Sequence, residues 1–459
     1  MRQSTDTGTE ETIVELLVKD LAFDGKAVAD RDGKVVFVNG GLPGEKIRAR
    51  IVKSKARYDV AKLEAILEPS ELRTDAPCSH FGICGGCTWQ DLEYRHQLSF
   101  KKKQTIDCLE RLGKLDNVLV HDVVGSVERF RYRNKMEFSF HTDPEKQFTL
   151  GLHHRGRWDE IFDLEHCHLQ SELTNKIVHW MRDYVRDEDL PVYDVKEHHG
   201  YMRFLMFRQA KRTADLMVNI VTNYGTFPNR ERLVHGMTAA FPEVSTIVHN
   251  QNGQRSNIAT GEKEEILYGT GYIEERLFES SFRIRANSFF QTNTNQAETL
   301  YRTAFDMLKA SRGDRVLDLY CGTGSIGILL SSHVGHVIGV ELVPDAVAAA
   351  KENAAHNRIE NIELYEGNVK DFLKSHPKVQ ERFDIIVIDP PRAGMNPKAL
   401  TYMLQMAPPK ILYISCNPST FARDAAVLVK AGYKLPEVRP VDMFPHTMHI
   451  ELVGMFYKE

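Results

Sequence analysis

Hydrophobic spacing divides this chain into three stretches. Over residues 11–69, apolar positions come in short runs: residues 12–18, 34–38 and 46–52, punctuated by a Phe23-Asp24-Gly25 turn and by Asp32-Gly33. The last run alternates with period two, the spacing of a strand with one buried face. Several short strands in so small a span predict a closed β-barrel of the OB type, a fold that commonly binds oligonucleotides. Residues 74–93 lack periodicity and read as loop. From Tyr94 to Leu115 the spacing turns helical, with Leu98, Ile106, Leu109 and Leu112 on nearby faces.

Between about Arg129 and Tyr272, strand-like runs such as 136–140 and 214–220 alternate with helices, which predicts a central α+β domain. A further helix follows Asn287-Ser288-Phe289-Phe290-Gln291 and extends to about Ala310. From Arg315 onward, strands alternate with helices of about 10–15 residues, the pattern of a doubly wound, Rossmann-like α/β fold. No internal repeat or low-complexity tract interrupts it. A chain of 459 residues exceeds what one core usually supports, so several domains are expected.

Composition adds limits. Apolar residues make up 42% and charged residues 27%, as in globular proteins. No apolar run approaches the ~20 residues needed to cross a bilayer. Residues 1–11 have no apolar core of a secretory signal, so a cytoplasmic protein is expected. The net charge of −4 conceals basic stretches at 101–103, 129–135 and 203–212, two of them interleaved with aromatics. Such patches neutralise phosphates while rings stack on bases. Seven cysteines in a chain this long argue against a disulfide framework.

Chemistry concentrates at predicted strand ends. Gly322-Thr323-Gly324-Ser325-Ile326-Gly327 follows the strand that begins at Arg315, with Asp318 and Tyr320 just before the first glycine. The next strand ends in Glu341, where a carboxylate can accept from both hydroxyls of a ribose. With no Gly-Lys-Ser/Thr to cradle phosphates, this turn favours S-adenosylmethionine. A third strand ends in Asp389-Pro390-Pro391-Arg392, whose prolines stiffen the presentation of Asp389. An arginine at the position after the prolines, where amino-directed methyltransferases place an aromatic, counts against methylation of an exocyclic amine.

A fourth strand ends in Ser415-Cys416-Asn417-Pro418. A thiolate there could add to C6 of a uracil and make C5 an enolate carbon able to accept a methyl group. Loss of the C5 proton, then β-elimination, would release the enzyme. That needs a base and an enolate donor. Glu451, a carboxylate breaking the apolar run of residues 449–453, suits the first, and Gln291 or another amide near O4 the second.

Cys78, Cys84 and Cys87 crowd a glycine-containing loop, and Cys167, between His166 and His168, is the best fourth ligand. Four thiolates suit an iron–sulfur cluster or zinc, with a flanking histidine as substitute ligand in the latter case.

Gln291 in Phe289-Phe290-Gln291, the 317–324 turn, Asp389-Pro390-Pro391-Arg392, Ser415-Cys416-Asn417-Pro418 and residues 442–447 through Glu451 together resemble the RNA uracil-C5 methyltransferases. The N-terminal β-module looks like a TRAM domain, and the cysteines look like the cluster ligands of the 23S ribosomal RNA branch. The resemblance implies Cys416 as nucleophile and Glu451 as proton acceptor. Gln291, Tyr320, Glu341 and Asp389 would line the S-adenosylmethionine site, and Cys78, Cys84, Cys87 and Cys167 would hold a structural [4Fe–4S] cluster. It further implies a TRAM-like barrel at 1–70, a central domain at 71–96 and 128–284, and a methyltransferase domain at 97–127 and 285–459. The expected partner is 23S rRNA, with the target base flipped into the site. Neither a membrane nor an obligate protein partner is implied, and a monomer is the default. The alternatives are a transfer RNA uridine methyltransferase, a non-catalytic RNA-binding ribosome-assembly factor, and an iron–sulfur redox sensor.

Overall fold

The computed structural model describes residues 12–142, 148–255 and 257–458. The chain divides into two compact units: Met1–Gln104 with Pro445–Met448, and Thr105–Phe444 with His449–Glu459.

In the first unit, β1 (Ile13–Leu21), β2 (Ala27–Arg31), β3 (Lys34–Asn39), β4 (Lys46–Ser54) and β5 (Tyr58–Glu68) form a closed barrel in the order β1-β2-β3-β5-β4. Pairing of β1 with β4 completes the closure. Period two sorts the side chains: Leu16, Val18, Val36, Val38 and Ile47 are buried while Glu15, Leu17 and Arg48 face out. Ala27, Ala29, Ala49 and Ala61 complete the core, small residues suited to so narrow a barrel. The hydrophobic pattern did not disclose β2, where charged residues outnumber large apolar ones, or β5, where charged residues interrupt the apolar ones along its length.

The loop after the barrel is tied back to it. Arg73 bridges the fully buried Glu45 at 2.5 Å and Asp91 at 2.6 Å, while Trp89 and Leu92 join the barrel core. A buried carboxylate without its cation would be strongly destabilising, so Arg73 holds this loop in register. Cys78, Cys84 and Cys87 lie on it.

The second unit contains β6 (Leu119–Val120) and a seven-stranded sheet. Its strands are β7 (Lys135–Thr142), β8 (Phe148–His153), β9 (Ile161–Asp163), β10 (Met202–Gln209), β11 (Leu216–Thr222), β12 (Thr246–Gln251) and β13 (Lys263–Tyr268), in the order β13-β12-β11-β10-β7-β8-β9. Only the β11–β12 pair is parallel. A hairpin of β14 (Tyr272–Leu277) and β15 (Ser280–Arg285) follows.

The C-terminal sheet is built on β16 (Arg315–Leu319), β17 (His336–Glu341), β18 (Ile362–Glu366), β19 (Ile385–Ile388) and β20 (Lys410–Ser415), parallel in the order β18-β17-β16-β19-β20. The apolar runs of β16, β17, β19 and β20 are buried, as parallel strands covered by helices require, while the edge strand β18 is only partly covered. β21 (Tyr433–Lys434), β22 (Glu437–Val441) and β23 (Glu451–Lys458) extend the sheet, and β23 runs antiparallel to β20. Two connecting helices, Ser325–Leu330 and Val369–Ser375, are shorter than their strand–helix spacing predicted. The first stops where Ser331, Ser332 and then Gly335 succeed the apolar residues. Among the described residues, no helix is long and apolar enough to cross a membrane.

Candidate active site

Parallel strands deliver their carboxyl ends to one edge of a sheet, where α/β proteins bind ligands. Here that edge carries Tyr320 after β16, Glu341 at the end of β17, Asp389 after β19 and Cys416 after β20. They open onto one cavity of ≈ 1280 Å³, which Gln291 and Glu451 also line. Glu451 arrives from the opposite direction. Because β23 is antiparallel to β20, its start meets the end of β20: Ser415 pairs with Leu452, and Cys416 and Glu451 follow at the rim.

The turn after β16 is shaped by its backbone. Tyr320 has φ +63°, an unusual conformation for a bulky residue, and Gly324 has φ +79°. A Cβ on Gly324 would also lie 3.0 Å from that of Ala350, so only glycine allows the helix behind it to approach. Glu341 is gripped by this turn: its Oε2 accepts from the Gly322 N–H at 3.0 Å and its Oε1 from Val343 N–H at 2.9 Å. Each oxygen keeps a lone pair for a cavity ligand. Leu342 and Val343, both half exposed, follow it on the cavity wall with Val369. A carboxylate for ribose hydroxyls beside an apolar slot for a purine is a donor set that fits S-adenosylmethionine.

Asp318, on β16 beneath the turn, is wholly buried, and neither of its carboxylate oxygens has a hydrogen-bond partner among the described residues. Burial, then the neighbouring Asp389, raises its pKa to about 8, with the nearby Gly327 N–H tempering the rise. Asp389, on the cavity wall, is raised to about 7 by burial. Glu451 is pushed well up, by burial first and by Asp389 second. The Cys416 thiol is raised to about 11 by burial and by the charges of Glu451 and Asp389, against which Arg392 acts. These acids form one electrostatic group, and a cation entering the cavity would favour ionisation of all of them.

Cys416 is held by its neighbours. Asn417 donates from Nδ2 to the Arg392 carbonyl at 3.0 Å and accepts from Ser419 N–H at 3.0 Å, capping the helix Pro418–Lys430. That links the cysteine turn to the Asp389-Pro390-Pro391-Arg392 turn and places the thiol near the positive end of a helix.

Gln291 sits on a strap anchored at several points. Arg208, buried on β10, donates to the carbonyls of Ala286 and Ser288. Asn134 donates to the Gln291 carbonyl at 2.9 Å and to Thr294 Oγ1 at 2.8 Å. Thr323 in the glycine turn donates to the Phe289 carbonyl at 3.2 Å. The Gln291 side chain hydrogen-bonds the phenol of Tyr301, a buried residue on the helix Thr294–Leu308 whose pKa is raised by burial, then by Asp389 and Glu451. Sequence reasoning passed over Asp318 and Tyr301 as functional residues, along with Leu342 and Val343. The apolar pair just after a strand-ending acid was a usable signal; Tyr301 offered none, because it keeps the helix's ordinary apolar spacing.

The cysteine loop of the first unit carries thiols with N–H donors onto two sulfurs: Gly86 N–H to Cys84 Sγ at 3.2 Å and Gln90 Nε2 to Cys87 Sγ at 3.1 Å. Such bonds favour thiolate, the form that binds iron or zinc. Cys167 belongs to the second unit, where its N–H donates to Asn175 Oδ1 at 2.9 Å. Among the described residues, no group of three or more His, Cys, Asp or Glu side chains is gathered as a ready metal site.

Comparison with known proteins shows the family. Residues 93–459 match the family model described as tRNA (uracil-5-)-methyltransferase, and residues 9–63 match the TRAM domain. An RNA methyltransferase of Caldanaerobacter subterraneus subsp. tengcongensis is 39% identical over 97% of this chain and 99% of its own. Another, from Chlorobaculum tepidum, is 40% identical over 97% and 96%. Among solved structures, the tRNA (uracil-54, C5)-methyltransferase of Pyrococcus abyssi, in complex with S-adenosyl-L-homocysteine, is similar with a TM-score of 0.77 and 29% identity over 96% of this chain and 99% of that one. With a barrel that matches the TRAM domain and a carboxyl-edge cavity that holds a thiol beside two carboxylates, the chain belongs to the tRNA (uracil-5-)-methyltransferase family and is an RNA methyltransferase.

Proposed function

We propose that this protein methylates C5 of a uridine in 23S rRNA, using S-adenosylmethionine, Cys416 as nucleophile and Glu451 as base. The observation that carries the reading is the meeting of Cys416 and Glu451 at the rim of one cavity with Asp389 and Glu341. Gln291, Tyr320, Glu341 and Asp389 are assigned to the cofactor side. Bound S-adenosylmethionine supplies the methyl group and a positive sulfonium charge.

In this reading the Cys416 sulfur loses its proton and bonds to C6 of the uracil, and the electron pair of the C5–C6 double bond moves onto C5 and O4. C5 takes the methyl group as the methyl–sulfur bond breaks, leaving a neutral thioether. Glu451 then removes the C5 proton, and the C6–S bond breaks as the double bond re-forms, returning Cys416. Two features of the free site bear on the order of events. A thiol held at about 11 is ionised in only about one part in 10⁴ at pH 7, so attack must be coupled to proton loss. Glu451, raised by burial and by Asp389, holds a proton more tightly than an exposed glutamate and is correspondingly the stronger base once ionised. Positive charge brought into the cavity favours both ionisations. Gln291, steadied by Tyr301, is an amide available to the developing negative charge at O4.

The assignment of Cys78, Cys84, Cys87 and Cys167 to a [4Fe–4S] cluster belongs to the same proposal, supported by four cysteines and by N–H donors onto two of the sulfurs. No step of methyl transfer runs through it; its role is structural. The segment after Cys167 supports the basic stretch, since His168 and Leu169 carbonyls accept from the N–H groups of Arg131 (2.8 Å) and Arg133 (2.9 Å).

A transfer RNA substrate is the second reading. The solved tRNA enzyme from Pyrococcus abyssi is matched along nearly its whole length, so possession of an N-terminal barrel does not by itself separate the two substrates. Mapping of 5-methyluridine in 23S rRNA and transfer RNA from a deletion strain decides. Loss from 23S rRNA supports the first reading, and loss from transfer RNA alone replaces it with the second.

A further inference from the structure

Two basic runs far apart in sequence become neighbours in the fold. β7 begins and β10 ends at the same place, and Lys135 is directly opposite Arg208 in the antiparallel register. Directly opposed residues share a face with Cβ atoms about 4.5–5.5 Å apart, and like charges there are destabilising. Arg133 adds a third cation, its Nε bonded to the Lys135 carbonyl at 3.1 Å. Among the described residues one carboxylate bridges the group: Glu137, 2.6 Å from Lys135 Nζ and itself substantially exposed.

The repulsion is felt. Burial, then Arg208 and more weakly Arg133, depress the Lys135 pKa despite Glu137. Arg208 is lowered to about 10 by burial, so it keeps its charge at neutral pH. Its Nε and Nη2 are engaged by the Ala286 and Ser288 carbonyls and its side chain is buried, so it acts through its field, whereas Lys135 and Arg133 retain exposed surface. A fold that opposes two cations and leaves the excess uncompensated breaks a local rule, which marks a functional site.

Its position suggests the ligand. Asn134, between Arg133 and Lys135, donates to the Gln291 carbonyl, and the Thr292 carbonyl accepts from Asn134 N–H at 2.8 Å. The cations therefore flank the strap that lines the cavity. We infer that Arg133 and Lys135, reinforced by the buried Arg208, bind backbone phosphate of the RNA strand whose uridine enters the cavity. This deepens the proposed function and rests on it.

The test is RNA binding at a series of KCl concentrations by the full chain carrying Lys135→Gln, Arg133→Gln, Lys135→Arg or Glu137→Gln. The probes are transcripts of a transfer RNA and of a 23S rRNA fragment. For each glutamine replacement of a cation, affinity should fall and the slope of log K against log salt should shrink by about one. Lys135→Arg should keep the slope, and Glu137→Gln should tighten binding. Affinity for S-adenosylmethionine, read by calorimetry, reports that the fold is intact. Weaker binding with an unchanged slope would mean a merely structural role and overturn the inference, as would unaltered affinity. If wild-type protein methylates RNA while the slopes stay equal, only this inference falls; if it neither binds nor methylates either RNA, the proposed function falls with it.

Discussion

Cys416 and Glu451 stand one step beyond Ser415 and Leu452, the last paired residues of two strands that run in opposite directions. The thiol thus leaves the sheet where the carboxylate enters it, and both face the cavity. In the proposed function, this crossing would let one residue form a bond on one side of a ring carbon pair while the other takes a proton from the adjacent carbon.

Replacing Cys416 with Ala should reduce methyl transfer by roughly 10⁴-fold or more while S-adenosylmethionine still binds. Glu451→Gln should slow turnover by roughly 10²–10⁴-fold, the usual span for a general base, and let the RNA–protein adduct accumulate. Denaturing gels of enzyme incubated with RNA check both. Absence of any denaturation-resistant band with 5-fluorouridine RNA would rule out the covalent route.

The thiol's raised pKa gives a pH signature. With a value of about 11, the thiolate fraction of Cys416 grows about tenfold per pH unit across pH 6–9, so alkylation by iodoacetamide should do the same. Peptide mass spectrometry isolates this cysteine from the other six. Addition of S-adenosylmethionine, before it shields the site, should speed the reaction at pH 7, because positive charge favours the anion. A plateau below pH 8 would contradict the electrostatic description.

Asp318 is a carboxyl whose folded pKa of about 8 lies far above its unfolded value of 3.8. The native state then holds a proton that the unfolded chain releases, so wild-type stability falls as pH climbs from about 4 to about 8 and levels off above that. Asp318→Asn removes that loss. Its melting temperature should exceed the wild type's by a margin that widens over that interval, on a scale of roughly 2–4 °C per kcal/mol for a large domain. A margin independent of pH would show that Asp318 is paired in solution.

Anaerobically purified protein should be brown and contain about four irons, as a [4Fe–4S] cluster on four cysteines requires. Cys84→Ser or Cys87→Ser should bleach it and lower thermal stability without changing the pH dependence of Cys416 alkylation. Colourless protein containing zinc would replace the cluster with zinc, the other metal that four thiolates suit.

Much of the cavity was legible because its residues occupy the ends of regular strands. Glu341, Asp389 and Cys416 each terminate an apolar run, and a strand–helix alternation implies parallel strands with those ends on one edge. The barrel was legible from the alternation in β1, β3 and β4, and less so from β5, where Lys62 and Glu64 alternate with Leu63 and Ala65 along a surface of mixed exposure. Hidden were features that depend on partners. Nothing near Asp318 in the sequence announces that both its oxygens lack a hydrogen bond. Nothing in either basic run shows that Lys135 will face Arg208.

Taken alone, the order of residues determined most of the elements, the residues that stand at their ends and the family, because periodicity and short motifs are local properties of a few neighbouring side chains. Tertiary structure alone decided which charges meet. The antiparallel entry of β23 puts Glu451 against Cys416, and the register of β7 with β10 sets two cations face to face. Strand direction and register arise from burial summed over the whole sheet, and a shift of one residue would turn every side chain to the other face.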